Sequence, residues 1–560
     1  MQKQRVLILG AGFGGMFTAR HLARHSDLFD VEIIDEENYF VFQPLLPEVV
    51  AGTIEASDAV APLRRLLPNS IKVREAQVVG IDLERREIEV VQGMGRKLRK
   101  IGYDQLVIAM GSRVDLSRFP GLADHAFTMK DLSDAFALRN HLVDCLEQAD
   151  ITEEPELKRR LLTFAVIGGG LSGVEVLGEM EHMLSSALRF YPHIRREELR
   201  FALIEYAPTI LAEMPENLSA YALRRLQKRG VEIYTGQGVK SASSDTVELS
   251  DGRLIHGMTI IATIGNSPPP LLAELPIAKQ RGRIATDHCL RVPGQDGVWA
   301  LGDAAAVPAE PPPADSRPHR RADDPKVEVP PPTAAPPTAQ AARQQAKVLA
   351  ANLVAQARGE PMTPFHYRSK GQLASLGGQR GIANILGVNI SGFPAFFLWR
   401  LLYLGMLPGA ATKTRVAVDW LLGLFLRRNL VKVVQRMEPA IFQSHYREGD
   451  VVFREGDACG PFFIVMAGRF ERKSRGADTI EIIERGGVFG ESALKGEKTR
   501  QSTVTALENG CCLVIKRDDF ALLSKGWQVL APRMEAEWRR TAEAEELTQR
   551  ESVPAQQNRR

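Results

Sequence analysis

Along the first half of the chain, short apolar runs end on or just before a glycine or a carboxylate. Val6–Leu9 runs into Gly10, Val31–Ile34 into Asp35, Leu106–Ile108 towards Gly111, Phe164–Ile167 into Gly168 and Phe201–Ile204 into Glu205. Runs that are apolar at every position predict strands buried on both faces, and the mixed stretches between them predict helices, so the expected class is α/β. The pattern then changes twice. Gly392–Leu407 and Val416–Leu426 are almost wholly apolar, broken by Arg400 and Asp419. From Tyr446 onward, short runs sit between glycine turns such as Glu448-Gly449-Asp450 and Glu455-Gly456-Asp457, which predicts a small β-roll or barrel.

Two of the strand ends carry more than a turn. Gly10-x-Gly12-x-x-Gly15, with Phe13 and Gly14 inside it, opens a helix, and Asp35 closes the next strand about 20 residues on. Gly10 permits the tight turn, Gly12 lets a pyrophosphate reach the backbone, and Gly15 lets helix and strand close up. The helix N-terminus offers unpaired N–H groups to phosphate and Asp35 accepts from ribose hydroxyls, the signature of a dinucleotide-binding unit. Gly168-Gly169-Gly170-Leu171-Ser172-Gly173 with Glu205 repeats it at a longer spacing, so the helix is long or Tyr191–Arg196 is a connecting loop. A carboxylate at 205 accepts from a ribose 2′-hydroxyl and repels a 2′-phosphate, which predicts NADH over NADPH. Gly265 is counted with this second unit. Glu175, early in its helix, is expected near the nucleotide's reactive end as an acid/base or orienting group; the plainer reading is a first-turn glutamate favoured by the helix dipole.

Gly111 closes a strand in a small-residue turn, where the chain can pass close to a cofactor. Gly302-Asp303 closes another, and in flavoproteins with two dinucleotide units such a pair brings a carboxylate to the ribityl chain. With no Cys-x-x-Cys pair, these features imply hydride transfer from NADH to FAD without a thiol relay, and an acceptor other than a protein disulfide.

Composition narrows the rest. At 560 residues the chain suggests three or four domains. The expected division is an FAD-binding domain at 1–115 and 285–385, an NADH-binding domain at 116–284, amphipathic membrane-anchoring helices at 386–436, a β-roll at 440–526 and a charged helical tail at 527–560. Residues 308–335, rich in proline and alanine, read as a polyproline-like insert. A net charge of +3 gives no pointer to nucleic acid. Five scattered cysteines (Cys145, Cys289, Cys459, Cys511, Cys512) argue for a reducing compartment, with no metal-ligand grouping. The apolar runs are too short to span a bilayer and fit an interfacial anchor with Lys413, Arg415, Arg427, Arg428 and Lys432 facing anionic lipid; a buried helical hairpin or dimer interface is the alternative.

From about Arg5 to Lys432 the chain closely resembles the type II NADH:quinone oxidoreductases. The resemblance rests on Asn38-Tyr39 with Phe42-Gln43-Pro44-Leu45-Leu46, on Gly173-Val174-Glu175 with Gly178-Glu179, on Tyr367–Ala374, and most specifically on Pro336-Pro337-Thr338-Ala339-Gln340-Ala341-Ala342-Arg343-Gln344-Gln345. It implies two Rossmann-like domains, quinone contact at Gln340 and Gln344, Lys370 at the flavin edge, and Glu175 beside the nicotinamide, with Glu175 and Lys370 as catalytic residues. Ala346, Ser369 and Met110 depart from the family's usual glycine, aspartate and small polar residue. The last region resembles a cyclic-nucleotide-binding domain. That implies Glu491 on the ribose 2′-hydroxyl and Arg500 with backbone N–H groups on the cyclic phosphate of cAMP or cGMP, in a cassette of Gly490, Ser492, Gln501 and Ser502. Here the cassette reads Thr499-Arg500-Gln501-Ser502, not the usual Arg-Ala-Ala or Arg-Ala-Thr after proline. The expected protein is a homodimeric enzyme, peripheral on the cytoplasmic face of the inner membrane, working with the membrane quinone pool. Two rivals stand beside it: a sulfide:quinone oxidoreductase, which needs flavin-proximal cysteines, and a catalytically silent sensor of NADH and cyclic nucleotide.

Overall fold

The apolar runs become strands because nothing polar interrupts their two buried faces. In the computed structural model, β1 (Gln4–Leu9) leads into helix α1 (Phe13–Leu22) and then β2 (Phe29–Asp35), β3 (Ile71–Glu75) and β4 (Gln105–Ile108). Helix α2 (Leu132–Ile151) follows, started by Asp131 and Asp134 in a reciprocal capping box. Next come β5 (Thr163–Ile167), α3 (Leu171–Ala187), β6 (Arg200–Glu205), β7 (Val231–Thr235) and β8 (Thr259–Ala262), before the chain returns as β9 (Val298–Ala300). The first sheet runs β9-β4-β1-β2-β3 and the second β7-β6-β5-β8, parallel throughout. In each, the strand before the glycine motif is central, so the motif lies where the strand order reverses, at the carboxyl edge. Val6–Leu9 and Phe164–Val166 are at most 1% exposed, which explains their unbroken apolar character.

The described residues are 3–93, 96–310, 334–422, 441–474, 480–490 and 499–516. They divide into one unit of 1–88 with 101–434 and a second of 89–100 with 435–560, a coarser division than the five parts expected. Most of the proline-rich insert and all of the tail at 527–560 lie outside the described residues. Where the insert leaves and rejoins the first unit, Ala335 N donates to Val307 O at 2.8 Å and Pro308 bridges Ala334.

After the insert, α4 (Ala339–Arg358), capped by the Thr338 hydroxyl, packs along α1. An antiparallel sheet β10 (Gln372–Ser375), β11 (Gly381–Ile385), β12 (Val388–Gly392) carries the chain into α5 (Phe393–Met406) and α6 (Ala410–Leu422). Helix α5 buries Ala395, Phe396 and Trp399 and leaves Phe393, Phe397 and Leu401 more than half exposed, so it is apolar on its inner and its outer face. No described helix is long and apolar enough to cross a membrane. The spacing between Gly173 and Glu205 is taken up both ways: α3 is 17 residues long, and short 3-10 turns at Leu188–Phe190 and Arg196–Glu198 complete the connection.

In the second unit, strands from Ile441–Tyr446 to Gly510–Ile515 form two four-stranded antiparallel sheets. They close over a core of Phe463, Val465, Phe470, Ile483, Phe489, Val504 and Val514.

Candidate functional site

The two glycine motifs are built alike. A Cβ on Gly15 would strike the carbonyl oxygen of Gly10, and one on Gly173 that of Gly168, so only glycine lets α1 and α3 sit this close to the preceding turns. Gly10 and Gly168 adopt φ of 95° and 107°. Gly12 is the opposite case: a Cβ there meets nothing within 4 Å, leaving its backbone open to an approaching ligand. Gly14 faces Leu301. Gly12 and Gly170 are the N-caps of α1 and α3, and neither helix has a side-chain cap, whereas α2 and α4 do. Two long helices with free N-terminal N–H groups beside open glycines fit the phosphates of two dinucleotides.

The acids at the strand ends do more than sequence reasoning assigned them. Asp35 accepts from Ala11 N at 2.5 Å and Glu37 N at 3.0 Å, and Glu205 from Gly169 N at 2.5 Å and Ala207 N at 2.7 Å. Each carboxylate therefore clamps its own glycine turn. Burial holds the Asp35 carboxyl above its ordinary range, partly offset by those backbone donors. Gly265 has φ of 84° and packs on the carbonyl of Asp115, and its own carbonyl accepts from Asp115 N at 2.7 Å, tying the two segments together.

A cavity of about 750 Å³ gathers residues from distant parts of the first unit. Leu171, Ser172 and Glu175 of α3, Gln340 and Gln344 of α4, Lys370, Gln43 and Pro44 all line it, with Leu402, Tyr403 and Met406 of α5. Glu175 is buried; its Oε1 accepts from Ser375 N at 3.0 Å and from the Trp399 indole at 2.9 Å. Burial pushes its pKa up to about 8 against the pull of those two donors, while the Glu179 and Glu48 charges push the same way. Ser375 also donates its hydroxyl to Glu179 at 2.8 Å, and Glu48 receives the Trp420 indole at 2.6 Å with Arg400 3.7 Å away. Two indoles from α5 and α6 thus hold two carboxylates of the nucleotide-binding body. Trp399 and Trp420 read in the sequence as interfacial anchors, and nothing local marks their partners.

Gln340 and Gln344 line the cavity, yet their amides are engaged. Gln340 Oε1 accepts from Lys370 N at 3.0 Å and the Tyr367 hydroxyl at 3.1 Å, and Gln344 exchanges bonds with the Arg368 backbone at 2.9 and 3.2 Å. They pin the 367–371 segment to α4, which positions the exposed Lys370. Asp303 receives the Ser112 hydroxyl at 3.0 Å and has Lys130 3.8 Å away, and Lys130 itself donates to Ser112 at 2.8 Å. Gly302 N donates to buried Gln345 at 2.8 Å, and Gly111 takes φ of 66° beside Ser112. Ser112, Lys130 and Gln345 were not singled out from sequence; Gln345 lay within the proline-glutamine block.

Neither Cys145 nor Cys289 lines the cavity. Cys145 is buried beside His141 and Thr259, and burial pushes its thiol up to about 11, the wrong direction for a nucleophile. Of the cations expected to face lipid, two have acceptors of their own. Arg415 pairs with Asp58 at 2.6 Å and Lys413 donates to the Gly405 carbonyl at 2.9 Å, because both find acceptors within the first unit; Arg427, Arg428 and Lys432 lie outside the described residues. In the second unit, Glu491 and Ser492 also lie outside them. Arg500 is 3% exposed, donates to the carbonyls of Gly490 and Pro461 at 2.9 and 2.6 Å, and stacks 4.1 Å from the Phe453 ring centre. Gln501 and Ser502 follow it into the strand Ser502–Ala506.

Residues 4–346 match the family model of pyridine nucleotide-disulphide oxidoreductases, 369–429 that of the NDH2 C-terminal domain, and 443–525 that of the cyclic nucleotide-binding domain. A type II NADH:quinone oxidoreductase of Mycobacterium tuberculosis is 32% identical over 437 residues, covering 75% of this chain and 88% of that protein. An external alternative NAD(P)H-ubiquinone oxidoreductase, B4, mitochondrial, of Arabidopsis thaliana is 32% identical over 325 residues; the match spans 55% of each. The NDH2 structure from Plasmodium falciparum in complex with NADH shares the fold, with a TM-score of 0.69 and 20% identity, over 77% of this chain and 100% of that one. The paired dinucleotide units and these matches together show that the chain belongs to the type II NADH:quinone oxidoreductases, within the pyridine nucleotide-disulphide oxidoreductase family, and carries a C-terminal region of the cyclic nucleotide-binding family.

Proposed function

We propose that this chain oxidises NADH and reduces a membrane quinone at the cavity lined by Glu175, Gln340, Gln344 and Lys370. Gly10, Gly12, Phe13, Gly14, Gly15, Asp35, Gly111, Gly302 and Asp303 would hold FAD, and Gly168, Gly170, Leu171, Ser172, Gly173, Glu205 and Gly265 would hold NADH. Bound there, FAD would supply hydride acceptance from NADH and two-electron delivery to quinone. The chain's own part is positioning and proton supply. Its open helix termini bind phosphate, and Asp35 and Glu205 fix the turns that present those termini. Glu175 carries the argument: Oε1 is taken by two donors, so Oε2 is the atom that holds a proton in the cavity wall at neutral pH. A quinone taking two electrons also needs two protons, and Oε2 can give one.

The outward apolar residues of α5 support seating that helix on a membrane surface; the side we propose is the cytoplasmic face of the inner membrane. The second unit supports binding of cAMP or cGMP as a regulatory input. NADH oxidation by the FAD-loaded protein with a soluble quinone analogue, with and without each cyclic nucleotide, tests the reading. Sustained turnover is expected; flavin reduction without turnover would leave the sensor reading instead.

A further inference from the structure

Helix α1 ends with Arg20 and His21, with Arg24 in the 3-10 turn that follows, and it packs along α4, which carries Arg343 and Lys347. His21, Arg343 and Lys347 line one cavity, and the proton affinity of His21 is lowered by burial and further by the charges of Arg24, Lys347, Arg20 and Arg343. Arg343 also lies over the Phe17 ring, 4.6 Å from its centre. Arg20, Arg24, Arg343 and Lys347 are exposed, and none has a carboxylate partner within 4.0 Å among the described residues. Elsewhere in this unit some cations do meet a carboxylate, as where Arg5, Lys72 and Arg74 converge on Glu32.

Compensation of helix dipoles does not account for the cluster. Arg20 and Arg24 suit the C-terminal end of α1, but Arg343 stands near the N-terminal end of α4, where the dipole opposes a cation. An unbalanced set drawn from two helices calls for an anion from outside. Its place selects the class. His21, Arg343 and Lys347 line the same cavity as Leu402, Tyr403 and Met406 of α5, the helix whose outer residues are apolar. The cluster has the character of a surface array, with exposed side chains and no glycine cradle, which suits many headgroups better than one captured ion.

We propose that Arg20, His21, Arg24, Arg343 and Lys347 form a docking surface for the phosphate headgroups of anionic phospholipids at the cavity that admits quinone. This rests on the reading of α5 as the membrane contact.

The test is sedimentation of the FAD-loaded full chain with phosphatidylcholine vesicles, with and without phosphatidylglycerol. Wild-type protein is expected to partition more strongly onto anionic vesicles, and salt should remove the difference. Arg20→Gln with Arg24→Gln, neither of which lines the cavity, should reduce anionic partitioning by about fivefold per charge, and Lys347→Gln should add to this. Binding to neutral vesicles should not change, and neither should turnover of the Arg20 and Arg24 variants with a soluble quinone analogue. Unchanged anionic binding in these variants, or an equal loss on both vesicle types, overturns the proposal. Abolition of the anionic preference by millimolar inorganic phosphate at constant ionic strength would mean a soluble-anion site and overturns it too. Phe397→Ser with Leu401→Ser separates the two readings: it should weaken binding to both vesicle types, and failure there strikes the α5 reading.

Discussion

Glu175 owes its proton to burial, and that sets a pH dependence with a definite sign. Its pKa in the folded chain is raised to about 8, so it is the acid below that pH and loses its proton above it. Quinone turnover should therefore fall as pH rises through about 8, and Glu175→Gln should remove that limb and lower turnover about 100-fold. The stability linkage has the same direction. The unfolded glutamate ionises near its ordinary value, so the contribution is complete below that value and is lost as pH rises to the folded one. Trp399→Phe removes a donor that favours the carboxylate, so the limb should move to higher pH while the protein stays folded; a rate–pH profile reads both variants. Glu205 calls for a neutral, similarly shaped replacement, because it also clamps Gly169 and Ala207. Glu205→Gln keeps an acceptor for one of these N–H groups and removes the charge. It should improve kcat/KM for NADPH relative to NADH by about tenfold, equivalent to ~1.4 kcal/mol. At this scale the sequence showed which residues carry chemistry but not their partners. Glu175 was legible from the second glycine motif, whereas Trp399 sits 224 residues away and meets it only through the fold.

Helix starts are where this chain's sequence speaks most clearly. The glycines of each motif are required by contacts within one turn, so spacing alone reveals them. Gly173→Ala would drive a methyl group into the Gly168 carbonyl. The variant should retain FAD but lose NADH binding, visible as a yellow protein whose flavin NADH no longer bleaches. Helices α5 and α6 were harder to read. Their apolar composition marked them as unusual, but their inner residues face carboxylates: Trp399 meets Glu175, Trp420 meets Glu48, and Arg415 meets Asp58. A hydropathy pattern shows that a helix has an apolar surface, not which polar atom it brings to a distant acid. For the same reason Gln340 and Gln344 were visible as a motif, while their grip on the 367–371 segment was not.

At the scale of the molecule, the two glycine motifs announced two Rossmann-like units, but the order of strands in each parallel sheet came only with the fold. The second unit was legible as a β-roll from its turns, but the state of Arg500 was not. Its guanidinium satisfies the carbonyls of Gly490 and Pro461, so a cyclic phosphate has to compete with contacts the unit already makes. Arg500→Ala should therefore destabilise the second unit by ~2 kcal/mol, since two acceptors lose a charged donor. Limited proteolysis should show faster cleavage after residue 440 with no added nucleotide, and FAD content should be unchanged. An arginine reserved for ligand alone would leave the nucleotide-free protein as resistant as before.

The pinch between Val307 and Ala335 closes the base of the insert. With its two ends already held together, changing the number of residues between them carries only a logarithmic entropic penalty. Shortening or lengthening the sequence between 311 and 333 should therefore leave FAD content and turnover as they were.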